Sequence, residues 1–153
     1  MAKKDRFPPV GRPAHRKDPG HGGESGSFAN GPLAVLIIDD DRALGDQLVR
    51  FLQHSGLRAI AEINAFAGAS TARRYQPAII LLDVEMPGMD GITAADVIHQ
   101  ISPRSRIILM SGHQKSLVAA NRSSAPVFGV LEKPVPLPAI LDFVRRALHI
   151  QDD

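Results

Sequence analysis

The chain has 153 residues, 18 of them Lys or Arg and 16 Asp or Glu, and it contains no Cys. This length suits one domain with a proper hydrophobic core. The absence of Cys excludes disulfides, thiolate metal sites and cysteine nucleophiles. No apolar stretch approaches the roughly 18 residues that a membrane span needs. With one Tyr and no Trp, few aromatic rings are available to stack on nucleic-acid bases.

Residues 1–32 differ in composition from the rest of the chain. They hold six basic and three acidic residues, a net charge of +3, whereas the remainder holds 12 basic and 13 acidic residues, a net charge of −1. The segment is rich in Gly and Pro and poor in large apolar residues, so we predict a disordered basic tail. Residues 1–32 lack the apolar stretch of a secretory signal peptide, so we expect a cytoplasmic protein. The slightly acidic remainder gives no reason to expect DNA binding.

Continuous apolar runs bounded by turn residues predict strands that are buried on both faces of a parallel sheet. In chain order these runs are AVLII at 34–38, AIILL at 78–82, RIILM at 106–110 and VFGVLE at 127–132. The run AIAEI at 59–63 is less uniformly apolar and suits an edge strand.

Helical spacing of apolar residues separates these runs. Leu44, Leu48, Phe51 and Leu52 form one stripe that ends near Gly56. Further helices are predicted at 65–75, around the stripe Ala95, Ile98 and Ile101, at 114–123, and around Ile140, Val144 and Leu148. This alternation predicts a five-stranded, doubly wound α/β domain. Right-handed crossovers would bring the carboxyl ends of all its strands to one edge.

Polar residues follow the long runs, at the edge where open α/β sheets bind ligands. They are Asp39 and Asp40 after the first run, Asp83 after the second, Ser111 after the third and Lys133 after the fourth. Three converging carboxylates raise one another's pKa values unless a cation lies among them. Because oxygen ligands suit Mg²⁺, we predict a magnesium site. Asp41, next in the chain, is interpreted as the N-cap of the first helix.

Asp83 lies in the segment LLDVEMPGMDGI, whose Pro-Gly and Asp-Gly pairs predict a loop directly after the strand. A carboxylate in this position can attack phosphorus and form an aspartyl phosphate. We expect the backbone carbonyl of Glu85 to complete the metal ligands, the Ser111 hydroxyl to donate to a phosphoryl oxygen, and Lys133 to neutralise the remaining charge. A cis peptide bond is predicted between Lys133 and Pro134.

These residues resemble those of the receiver domain of two-component response regulators, from about Leu33 to Ile150. The motifs VLIIDDDRAL, IILLDVEMPGMDGI, IILMSGH and VLEKPV occur in the order of that family. The resemblance implies a flavodoxin-like sheet of strand order 2-1-3-4-5. It also implies that Asp83 accepts phosphate from a histidine kinase or a histidine phosphotransfer protein. Asp39 and Asp40 would form the acidic pair, Ser111 the hydroxyl switch and Lys133 the charge sensor.

One position departs from the family pattern. Receiver domains usually carry Tyr or Phe three residues before the lysine, and this chain has Val130 there. Phe128 is expected on the same strand face as Val130, because side chains alternate along a strand. We predict a smaller or different conformational change on phosphorylation. By the same resemblance, Glu85 and His113 flank the path of hydrolytic water and are predicted to tune phosphoryl lifetime, although both also suit solvated loop positions equally well.

The domain at 33–150 is followed by residues 151–153, so we expect a stand-alone receiver. It would signal through an unknown downstream protein, through phosphorylation-dependent dimerisation or through a phosphorelay, and it would catalyse only its own phosphorylation and dephosphorylation. Because of Val130, a docking or dimerisation module that is not phosphorylated stays open as an alternative. A haloacid-dehalogenase-type phosphatase is disfavoured, since no late acidic pair follows a strand, and a nucleotide binder lacks the Gly-rich loop.

Overall fold

The structure, a computed structural model, describes residues 32–113 and 125–149. The predicted helix at 114–123, the end at 151–153 and all of the predicted tail except Pro32 lie outside the described residues. The described elements are β1 (Val35–Ile38), α1 (Arg42–His54), β2 (Ala59–Glu62), α2 (Ala65–Tyr75), β3 (Ile79–Asp83), α3 (Gly91–Ile101), β4 (Arg106–Ser111), β5 (Val127–Glu132) and, counting only described helices, α4 (Leu137–His149).

The five strands form one parallel sheet in the order β2-β1-β3-β4-β5. This order confirms the predicted flavodoxin-like, doubly wound α/β fold. Every residue of β1 and β3 is buried, which explains their continuous apolar sequences, whereas β2 at the edge is mostly half-buried. Because all strands run in one direction, their carboxyl ends meet along the same edge of the sheet.

Helices cover both faces of this sheet. On one face, Leu36 and Leu82 pack in a cluster with residues of α2 and α3, and on the other face, Ile37 and Leu81 pack with residues of α1 and α4. Burial of each such side chain stabilises the fold by about 2 kcal/mol. Within the described part of the chain, no helix combines the length and apolar character needed to cross a bilayer.

The three helices that follow β1, β2 and β3 each begin at a side chain that caps their backbone. Asp41 accepts from the Leu44 N–H at 3.1 Å, confirming the predicted N-cap of α1. Asn64 caps α2 and Asp90 caps α3 in the same way. Such caps satisfy backbone N–H groups that the helix itself leaves unpaired. They also fix the loops at the carboxyl edge of the sheet.

A β-bulge interrupts the pairing of β4 with β5. Ile107 pairs with Val127, but the next residue, Ile108, pairs with Gly129, so Phe128 is an extra residue in β5. The bulge places Phe128 in the cluster with α1 and α4, while Val130 packs in the cluster with α2 and α3. The prediction that Phe128 shares a face with Val130 is therefore wrong, because a bulge breaks the two-residue alternation.

Candidate functional site

Three carboxylates converge at the carboxyl edge of the sheet, where β1 and β3 lie side by side. Asp39 and Asp83 are each 2% exposed, whereas Asp40 is exposed. One carboxylate oxygen from each of Asp39, Asp40 and Asp83 lies within 4.8 Å of the other two. The structure thus brings together the three acidic residues that the sequence placed at one edge.

Lys133 reaches this cluster from the end of β5. Its backbone N–H donates to the Ser111 carbonyl at 2.7 Å, which continues the pairing of β5 with β4 beyond the last strand residue. Its ammonium nitrogen lies 2.8 Å from Oδ2 of Asp39 and 3.4 Å from Oδ1 of Asp83. The peptide bond between Lys133 and Pro134 is cis, as predicted. Lys133 therefore lies beside the acidic residues, at the edge of the sheet where the sequence placed it.

The electrostatics of the cluster show an excess of negative charge. Burial raises the pKa of Asp83 from 3.8 to about 6, and the neighbouring charge of Asp39 acts in the same direction, against smaller opposing effects of the Glu85 N–H and Lys133. Burial would lower the pKa of Lys133, but its hydrogen bond to Asp39 and the charges of both carboxylates raise it overall. The single ammonium of Lys133 therefore does not offset the combined effect of burial and of the Asp39 charge on Asp83, and a further cation would favour the ionised form of Asp83.

Ser111 is fully buried at the end of β4 and is held by the loop that follows Asp83. Its hydroxyl donates to Oε1 of Glu85, and the Gly112 N–H donates to Oε2 of the same carboxylate at 3.2 Å. The backbone N–H of Glu85 donates to Oδ1 of Asp83 at 3.1 Å. Sequence reasoning missed the side-chain contacts of Glu85. The adjacency of β3 and β4 in the predicted order brings the two loops to the same edge but does not predict these contacts.

His113 and Val130 complete the residues singled out from the sequence. His113 is exposed, and its backbone N–H donates to Oγ of Ser111 at 3.1 Å. Its carbonyl oxygen lies 3.1 Å from the same Oγ and is an alternative acceptor for the single proton of the Ser111 hydroxyl. Val130 is half-buried on β5, where it pairs with Leu109 of β4. The structure thus places His113 beside Ser111 and places Val130 against the core cluster that includes residues of α2 and α3.

Comparisons with known proteins agree with this geometry. The family model of the response regulator receiver domain matches residues 35–145. The chain is 32% identical over 120 residues to the chemotaxis protein CheY of Bacillus subtilis, covering 75% of this chain and 97% of that protein. It is 34% identical over 118 residues to the C4-dicarboxylate transport transcriptional regulatory protein DctD of Pseudomonas aeruginosa, covering 76% of this chain and 25% of that protein. The chain therefore spans about a quarter of the length of DctD.

Solved structures share the fold. A CheY-like response regulator receiver domain protein from Methanospirillum hungatei JF-1 superposes with a TM-score of 0.71 at 22% identity, covering 80% of this chain and 98% of that one. A Burkholderia pseudomallei response regulator, solved with a phosphorylated aspartic acid, calcium ion and citrate, gives a TM-score of 0.66 at 22% identity, covering 78% of this chain and 71% of that one. From the family match, the similarity to CheY and the shared fold, we conclude that this chain belongs to the receiver domains of two-component response regulators.

Proposed function

We propose that the chain accepts a phosphoryl group on Asp83 from the phosphohistidine of a histidine kinase or histidine phosphotransfer protein. The observation that carries this proposal is the convergence of Asp39, Asp40 and Asp83 within 4.8 Å, beside the ammonium of Lys133. A carboxylate oxygen of Asp83 attacks the phosphorus, the phosphorus–nitrogen bond of the donor breaks, and an aspartyl phosphate forms. The chain would act as a signalling module that catalyses this transfer onto itself.

The residues around Asp83 suit Mg²⁺. Asp39, Asp40 and Asp83, together with the backbone carbonyl of Glu85, would hold the ion, and all four donors are the hard oxygens that it prefers. Burial, together with the neighbouring charge of Asp39, raises the pKa of Asp83 to about 6, and a divalent cation here would favour its ionised form. A Burkholderia pseudomallei response regulator of the same fold was solved with a phosphorylated aspartic acid and a calcium ion, which supports a proposal that pairs an aspartyl phosphate with a divalent cation. When bound, Mg²⁺ supplies positive charge that stabilises the transferring phosphoryl oxygens.

The remaining side chains neutralise and orient the phosphoryl group. The ammonium of Lys133 lies 3.4 Å from the attacking carboxylate and would stabilise the charge that develops on the phosphoryl oxygens. The Ser111 hydroxyl would donate to another of these oxygens once its present bond is released. The phosphorylated chain would then act by binding a downstream protein, by forming a dimer, or by passing the phosphoryl group along a phosphorelay.

Incubation with acetyl phosphate and Mg²⁺, followed by intact-protein mass spectrometry, tests this function. We expect one phosphoryl adduct on the wild type, and none after chelation of Mg²⁺ or in Asp83→Asn. Asp142→Asn, which changes an exposed carboxylate on α4, is the matched control and should take up phosphate like the wild type. An adduct that persists in Asp83→Asn would refute the proposal. Turnover of general phosphate esters would instead favour a phosphatase, and no adduct from any donor would favour a docking module.

The conformational change that follows phosphorylation should differ from that of receiver domains with Tyr or Phe three residues before the lysine, because this chain has Val130 there. The ring of Phe128 cannot take over this role, since it lies on the other face of β5, where it packs edge-to-face with Phe143 at 5.6 Å between ring centroids. We expect amide chemical-shift changes in β5 and α4 on addition of Mg²⁺ and beryllofluoride to be smaller in the wild type than in Val130→Tyr. Val127→Tyr, on the same face at the start of β5, is the control. Equally large changes in the wild type and Val130→Tyr would contradict this expectation.

A further inference from the structure

We propose that the carboxylate of Glu85 occupies the place of the phosphoryl group in the unphosphorylated protein, so that Glu85 must release Ser111 and Gly112 before Asp83 is stably phosphorylated. This inference rests on the proposed phosphorylation of Asp83. Glu85 would therefore be a positioning residue that sets how readily the site accepts a phosphoryl group.

The hydrogen bonds of Glu85 carry this inference. Oε1 accepts from the Ser111 hydroxyl, and Oε2 accepts from the Gly112 N–H at 3.2 Å. These two donors lie at the end of β4, directly after Met110, which pairs with Asp83 in the sheet. The two oxygens of one carboxylate thus engage two donors that follow the strand beside the phosphoacceptor. A group attached to Asp83 would find its hydrogen-bond donors on the β4 side already engaged.

A phosphoryl group and this carboxylate compete for the same donors. Both are anions, and a hydrogen bond that ends on an anionic oxygen is roughly twice as strong as a neutral one. The two groups also repel each other at short distance. The anion on Asp83 needs donors that Glu85 engages. The apparent affinity of the site for this anion is therefore the intrinsic affinity multiplied by the fraction of time for which Glu85 leaves those donors free. Glu85 would therefore lower both the rate of phosphorylation and the affinity for phosphoryl analogues.

The loop geometry keeps the competitor close to the site. The backbone N–H of Glu85 donates to Oδ1 of Asp83 at 3.1 Å, and the N–H of Val84 donates to the Met110 carbonyl at 2.9 Å. The bond from Val84 holds the start of the loop against β4, and the bond from Glu85 ties the loop to Asp83 at the end of β3. Glu85 can therefore leave Ser111 by rotating its side chain while the loop backbone stays in place. This is a local change, and it needs no rearrangement of the sheet.

Titration with beryllofluoride at saturating Mg²⁺, followed by ¹⁹F NMR, tests the competition. Glu85→Gln loses the charge while keeping the shape, and Glu85→Ala removes both oxygens. We expect both variants to bind beryllofluoride roughly tenfold more tightly than the wild type, since hydrogen bonds to a charged competitor are lost. Saturation with Mg²⁺ is established for each variant, because removing a negative charge near the ion weakens its binding.

Glu132→Gln is the matched control, because it makes the same chemical change at the exposed end of β5, where Glu132 pairs with Ser111 in register. It should bind beryllofluoride like the wild type. A second readout is the amide resonance of Gly112 without ligand, which should shift in both Glu85 variants and stay unchanged in Glu132→Gln. A general structural effect would not be confined to this amide.

The outcomes separate this inference from the function on which it rests. If the wild type binds beryllofluoride but both Glu85 variants bind it equally or more weakly, the competition is refuted and phosphorylation of Asp83 stands. If the wild type neither binds beryllofluoride nor takes up phosphate, both proposals are refuted. Tighter binding in Glu85→Gln alone suffices to support the competition if Glu85→Ala fails to fold.

Discussion

Replacing Lys133 with methionine should slow phosphorylation of Asp83 by acetyl phosphate about a hundredfold. The ammonium of Lys133 lies 2.8 Å from Oδ2 of Asp39 and 3.4 Å from Oδ1 of Asp83. Its removal takes away the side-chain cation that would stabilise the phosphoryl oxygens as charge develops on them. Initial rates at saturating Mg²⁺, measured by intact-protein mass spectrometry, give the comparison.

The same change should also destabilise the metal-free protein near neutral pH, by about 3 kcal/mol, because it leaves two buried carboxylates without their cation. Added Mg²⁺, or acidification that protonates Asp83, should restore much of this loss. Lys133→Arg keeps the charge and is the control, and it should unfold much like the wild type. A methionine variant that matches the wild type in both rate and stability would contradict the role assigned to Lys133.

Replacing Asp83 with asparagine should raise the free energy of unfolding of the metal-free protein at neutral pH. Because its pKa is raised from 3.8 to about 6, the folded protein holds this proton more tightly than the unfolded chain does. The stability that this proton contributes is full below about pH 4 and is lost as the pH rises through 6. The rise in pKa corresponds to about 3 kcal/mol of folding free energy, which the wild type loses when Asp83 ionises. Asn does not ionise, so the variant does not lose this stability.

Urea unfolding from pH 4 to 8 in the presence of a chelator measures this difference. The gain in Asp83→Asn should be small at the acidic end, grow through pH 6 and then level off. Asp142→Asn again provides the control, since its carboxylate is exposed on α4 and its removal should change the profile little. Parallel profiles for the wild type and Asp83→Asn would show that burial of Asp83 carries no such penalty.

The sequence predicts the sheet and the positions of its polar ends because the pattern there is strong. β1 and β3 are buried at every residue, so their apolar runs are unbroken, and parallel strands necessarily end on the same edge. Convergence of Asp39, Asp83 and Lys133 follows from that topology without any knowledge of side-chain positions.

Features that depend on partners distant in the chain could not be predicted from the sequence. The face of Phe128 depends on a bulge in the pairing of β5 with β4, and nothing in the local alternation of β5 reveals it. The bonds of Glu85 to Ser111 and Gly112 depend on how closely two loops approach. Both loops could be placed at one edge, but the distance between their side chains could not be read from the pattern.

A structure determined with Mg²⁺ and beryllofluoride tests the central claim most directly. We expect beryllium on a carboxylate oxygen of Asp83, with the ion held by Asp39, Asp40 and Asp83 together with the Glu85 carbonyl. The ammonium of Lys133 and the hydroxyl of Ser111 should contact fluorine atoms, with the Glu85 side chain turned away. Beryllofluoride bound to another carboxylate, or an ion that contacts none of the three aspartates, would contradict the shared site for metal and phosphoryl group.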